Sequence, residues 1–184
     1  MTDLVQRFHS ALPQVQEWID QYLTAHAAAA QPVSSLGFKR LAACFPAVLL
    51  DSTKVVPVDR VPFPPVEKFG VPEFAGMQQI PFAGITFKDT FFVHKDERRS
   101  ESLHFHEMVH VVQWARLGVD RFMLAYALGL AQFGYEESPL EAMAYTLQGQ
   151  FDSGVDFLGL VGVIEQQTDG VWSGVEPLLG LTPP

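Results

Sequence analysis

The sequence predicts an α+β domain, mainly helical, with a small β-hairpin or sheet edging a cleft. Three observations carry this. Apolar residues recur at spacings of three and four through residues 3–30. A second helix-compatible stretch begins near residue 100 and is punctuated by residues that start and stop helices. Between them, residues 84–94 (GITFKDTFFVH) are rich in β-branched and aromatic types. With 184 residues, 48% hydrophobic and 18% charged, the chain can bury one sizeable core, and general disorder is excluded. It reads as a single domain over 1–184. A helical part covers 1–50, a proline-rich wrapping segment 57–81, a central core 84–150, and a helix with a tail 151–184.

The first helix carries the stripe Leu4, Phe8, Leu12, Val15, Ile19 and Tyr22/Leu23. Pro13 is expected to split it, and Pro32 to end it. Residues 38–50 suit either helix or buried strand. Six prolines in 57–81 exclude long helix and central strand there, so an extended covering segment is expected. Ile85–Phe87 and Thr90–Val93 flank Lys88-Asp89 as a tight hairpin with one buried face. The next helix starts at Ser100 or Ser102 and stops at Gly118. Asp120 then caps another that ends at Gly134, and Ser138-Pro139 opens a third. A last helix is expected over 155–167, with an irregular tail from Val171.

Charge narrows the function. There are 12 Lys+Arg against 21 Asp+Glu, a net charge of −9, so a phosphate backbone is repelled and nucleic-acid binding is not expected. No basic residue follows Arg121, whereas acidic ones continue. A single cysteine, Cys44, excludes an internal disulfide and a thiolate-only metal site; its apolar setting reads as a core thiol. No secretory signal and no apolar run of roughly 20 residues is visible, so a cytoplasmic protein without a membrane partner is expected. Nothing in the sequence specifies an oligomeric state.

One pentapeptide carries chemistry: His106-Glu107-Met108-Val109-His110, the pattern HExxH. On a helix, residues four apart share a face, so both imidazoles can address one ion. Glu107 lies roughly 100° around the helix, out of the ligand stripe but within reach of a water at the metal. Two His donors suit one Zn²⁺ per chain, with Glu107 as general base. With six His among 184 residues, chance gives this pattern only about 0.01 times per chain of this length. The competing reading is two solvated helix histidines around an ordinary Glu. There is no phosphate loop, no G-x-S-x-G elbow and no C-x-x-C.

The stretch GITFKDTFFV…LHFHEMVHVVQW resembles small zincin-like metallopeptidases of the gluzincin type, over about residues 84–148. That resemblance implies an edge hairpin lining the cleft before an HExxH helix, and a peptide or protein substrate added along the edge. It implies a zinc metallopeptidase; the alternatives are a catalytically silent zincin-like metal-binding or interaction module, and a helical interaction protein with a chance motif.

A catalytic zinc takes three protein ligands. No His follows His110, and the metzincin extension is absent, because Gln113 and Arg116 stand where it places Gly and His. The third ligand is therefore a carboxylate: Asp120, Glu136, Glu137 or Glu141. Gluzincins bring it from a following helix, which favours Glu141 in Pro139-Leu140-Glu141-Ala142. However, Ser138-Pro139-Leu140-Glu141 is also a capping box, in which Glu141 bonds the Ser138 N–H. The resemblance also places an Asp four residues after this Glu, where this chain has Tyr145. Tyr145 is the first candidate for stabilising an oxyanion, with Tyr135 and His94 behind it. Gln113 can orient a ligand. His104 points away from the ion, His9 and His26 have no role, and Phe82, Phe87, Phe91 and Phe92 read as core.

Overall fold

A computed structural model describes residues 2–179. It is a mainly helical α+β fold with six α-helices and one four-stranded sheet among the described residues. No helix there is long and apolar enough to cross a membrane.

Helix α1 (Thr2–His26) runs through Pro13 without a break, contrary to the expected split. Val5, Phe8 and Ala11 before the proline and Val15 and Ile19 after it are buried in one core. That continuous apolar face offsets the missing N–H at Pro13, which is exposed. The ambiguous 38–50 stretch forms two short helices, α2 (Lys39–Cys44) and α3 (Ala47–Ser52), separated at Pro46. Cys44 is only partly buried, not a core thiol.

The sheet has the order β1-β2-β4-β3, with β1 (Gln31–Pro32), β2 (Lys54–Val58), β3 (Gly84–Phe87) and β4 (Thr90–His94). The hairpin β3–β4 turns at Lys88-Asp89, with Lys88 at φ 59°. Two expectations are corrected here. A strand, β2, enters the proline-rich segment and runs parallel to β4, pairing Lys54 with Thr90 through Val58 with His94. Pro57 is tolerated because β1 is too short to reach it and pairs only Val55 and Lys54, leaving that side of Pro57 an open edge. Consequently β4 lies inside the sheet, and only β3 is an edge of the hairpin. Nor is one face exposed. Val56, Phe87 and Phe92 pack into the core under α1, whereas Val55, Phe91 and Val93 pack into a second core against the other helices. A strand buried on both faces reads as a continuous apolar run, as TFFV does.

Helix α4 (Glu101–Phe133) starts at Ser100, whose hydroxyl accepts from the Leu103 N–H at 3.3 Å. It is buried all round from His104 to Trp114, between the sheet and the last two helices, α5 (Pro139–Asp152) and α6 (Leu160–Val175). Gly118 breaks the helical path with φ 72° and ψ 173°, a region essentially reserved for glycine, and the chain resumes helix to Gly134. Asp120 does not start that second half as a cap; it bonds the Gln16 side chain of α1. α6 extends to Val175, followed by a short 3-10 turn to Leu179, because Trp172, Val175 and Leu179 return to the α1 core. The tail expected to be irregular from Val171 is therefore helical to Leu179, and its last residues, 180–184, lie outside those described.

Gly118→Ala should destabilise the protein by about 1–3 kcal/mol, the cost of a side chain at that backbone conformation. Urea unfolding measures it; an unchanged midpoint would mean the break is not enforced by Gly118.

Candidate metal centre

His106 and His110 project from the same face of α4, and Glu141 comes from the first turn of α5. The His106 and His110 Nε2 atoms lie 3.1 Å apart, and Glu141 Oε2 is 3.4 Å from each. All three residues are buried, with 4%, 5% and 2% exposure, and together they form a group able to hold a metal ion. Tetrahedral ligands at zinc distances are separated by about 3.3 Å, so the triangle has the right size for one ion.

The hydrogen bonds behind the triangle fix what its three atoms are. Gln113 donates its amide N–H to the Leu140 carbonyl at 3.0 Å, which turns its Oε1 to His110 Nδ1 at 2.8 Å. Gln148 donates to Ser102 Oγ at 2.9 Å, and Ser102 donates onward to Asp152. This turns the Gln148 Oε1 to His106 Nδ1 at 3.1 Å. Each imidazole, in its neutral form, therefore carries its proton on Nδ1 and turns its Nε2 lone pair to the centre. Tyr126 donates to Glu141 Oε1 at 2.6 Å, while Glu141 Oε2 has no hydrogen-bond partner. The two Nε2 atoms and Glu141 Oε2 thus converge on one buried point that takes either a proton or a metal ion. A cation at their centre satisfies all three.

The electrostatics agree. Burial pushes the Glu141 carboxyl up, but the two imidazoles outweigh it and hold the group well below the usual carboxylate range. Burial opposes charge on His110 as well, yet Glu141 overrides it and raises the imidazole to about 9. The spot attracts positive charge. Burial raises the Tyr126 phenol, with Glu141 adding to it, so the hydroxyl remains a donor.

The capping-box alternative does not form. The Ser138 N–H bonds the Tyr135 carbonyl at 3.2 Å, and the Ser138 hydroxyl, though buried, makes no cap bond. Glu141 is free for the cluster. Asp120, Glu136 and Glu137, the other carboxylates considered, are exposed.

Glu107 faces the same cavity as the cluster. Its Oε2 accepts from the Thr86 hydroxyl at 2.7 Å, and its Oε1 lies against Gly84, where any Cβ would overlap it. Burial raises its pKa, against the pull of His106, His110 and the Thr86 hydrogen bond. Two buried carboxylates in one site are therefore driven apart: Glu141 stays ionised and Glu107 is disposed to take a proton.

Tyr145 stands one turn after Glu141, half-exposed, with its ring 4.7 Å from that of His106. Tyr135 packs edge-on against Phe82 and lines both the main cavity and the open groove that holds Tyr145. His94 is elsewhere, accepting from the Asp96 N–H. His104 is buried between Phe38 and Phe91 and bonds the Ser100 carbonyl, away from the cluster. Sequence reasoning missed Tyr126, Gln148, Thr86 and Gly84. For Gln148 a signal existed, since it lies seven residues after Glu141 on the same α5 face. For Tyr126, which bonds Glu141 from fifteen residues upstream on another helix, no local signal existed.

Comparison with protein-family models, with curated proteins and with solved structures finds no match.

His106→Ala, His110→Ala and Glu141→Gln should each remove most of the metal bound by the purified protein, measured by elemental analysis. Ser138→Ala should leave metal content unchanged and stability within about 0.5 kcal/mol, well below the usual ~1 kcal/mol of a lost cap. Full metal in Glu141→Gln would return Glu141 to a purely structural role.

Proposed function

We propose that the protein is a zinc-dependent metallopeptidase, with zinc held by His106, His110 and Glu141. The observation that carries this reading is the pairing of a three-ligand, lone-pair cluster with a second buried carboxylate, Glu107, that is not one of the ligands. Three N/O ligands leave a tetrahedral ion one open position, the arrangement of hydrolytic rather than structural zinc. When bound, zinc would acidify a water and polarise the carbonyl of a peptide bond.

The chain's own residues do the rest. Glu107 accepts a proton from the attacking water at its free Oε1 and returns it to the departing amine. Thr86 holds the other oxygen, so the carboxylate does not swing away. Gly84 leaves room for this, because a side chain there would occupy the place of Oε1. The phenols of Tyr135 and Tyr145 keep their protons, raised by burial above all, and supply donors to a developing oxyanion.

Substrate would approach along β3. The His94 N–H bonds the Ala83 carbonyl, which puts Ala83, Ile85 and Phe87 on the paired side by antiparallel alternation and turns Gly84 and Thr86 outward. The Thr86 carbonyl already accepts from the Trp114 indole at 3.1 Å. That leaves Gly84 as the principal free edge for an extended peptide.

A second reading is a metal-holding module that cleaves nothing. The low exposure of every ligand and the occupied Thr86 carbonyl favour it. Glu107→Gln separates the two. For the peptidase, the variant should keep full zinc while cleavage of an unstructured protein such as casein falls by at least about 10²-fold. Equal zinc with no cleavage even by the parent protein would favour the module. Gly84→Ala should behave similarly: normal zinc, with turnover reduced because Glu107 is displaced. Undiminished turnover would show that Glu107 does not need the Gly84 gap.

A further inference from the structure

His106, His110 and Glu141 line a cavity of about 140 Å³. Among the described residues, the only charged side chains lining it are the site carboxylates and imidazoles. Thr86 and Tyr126 are already bonded to Glu107 and Glu141, and the Trp114 N–H to a backbone carbonyl. Most of the remaining wall is hydrocarbon. Helix α1 supplies one side through Phe8, Ala11 and Val15, and Phe8 stacks on Phe74 with ring centres 5.4 Å apart. Trp114 and Phe122, themselves stacked at 4.0 Å, line α4's side. None of the α1 residues lies in the stretch that resembles zincins.

An apolar cavity of about 150 Å³ lined by such residues stays dry and accepts benzene. The present one is close to that size. It therefore suits a leucine, methionine or phenylalanine side chain. A carboxylate entering it would lose its hydration and meet two further carboxylates.

We propose that the cavity receives an uncharged apolar side chain of the substrate, of leucine to phenylalanine size, next to the bond that is cut, and that α1 sets this selectivity. The inference rests on the peptidase reading, so its experiment has two arms. In the first, the purified protein is titrated with benzene and followed by the NMR shifts of its methyl groups. Saturable binding should perturb Val15 and Met123, be lost in Ala11→Leu, which fills the cavity, and persist in Val15→Ala, which enlarges it. In the second, the zinc-loaded protein is given a peptide mixture varied on both sides of each bond. Leu and Phe next to the cut should be favoured over Ala by roughly 10- to 100-fold in kcat/KM. Ala11→Leu should shift preference toward Ala and Val, and Val15→Ala toward Trp. No benzene binding by the parent protein overturns the proposal. So does cleavage without apolar preference, or preference that neither variant moves; both leave the peptidase reading intact. Benzene binding abolished in Ala11→Leu, with no peptide cleaved, instead overturns the peptidase reading and with it the substrate role of the cavity.

Discussion

The amide of Gln113 is the joint on which the site depends. One end fixes the His110 tautomer, and the other bonds the Leu140 carbonyl in the first turn of α5. Leu140 immediately precedes Glu141, so the same side chain that aims one ligand also places the helix that carries another. Gln148 reverses the arrangement, reaching from α5 to His106 on α4. The two helices are thus cross-linked by a reciprocal pair of amides, each with its second end satisfied. A rotation of either helix would break a buried hydrogen bond and spoil the donor triangle together, which makes the geometry cooperative.

Charge is the other constraint. Glu107 and Glu141 are buried with imidazole, hydroxyl and phenol groups around them but no lysine or arginine. Burying carboxylates without cationic partners is costly. A divalent ion held by His106, His110 and Glu141 would supply the missing positive charge and would then contribute stability to the folded state. The composition already points that way, because the last third of the chain provides no cation at all.

Much of this was legible in the sequence where the cause is local. The i, i+4 histidines share a face for reasons of helix geometry alone, and Ser100, Gly134 and Ser138-Pro139 mark helix ends by their own backbone chemistry. The absence of further histidines left four carboxylates, and the resemblance to gluzincins, with the helix position, favoured Glu141 among them. What failed was non-local. Strand β2 pairs parallel with β4 across an intervening 31-residue connection between Val58 and Thr90, and no local pattern announces such pairing. Pro13 and Pro57 mislead because packing on one side and a missing neighbour on the other remove their usual penalties. Tyr126 and Thr86 meet their carboxylates only after the chain has folded, as does the α1 wall of the cavity.

The proline-rich segment has a consequence for how such a protein can diversify. It joins β2 to the hairpin and supplies Phe63, Val66, Val71 and Phe74 to the cavity, but none of the metal ligands. Its short 3-10 turns contribute few ladder hydrogen bonds, so insertions or exchanges there leave the sheet register intact. The candidate metal ligands are held by α4 and α5, while one wall of the chamber, beside the part that α1 supplies, is written in a separate, replaceable piece of chain. Mutation could reshape what enters the site without touching what happens inside it.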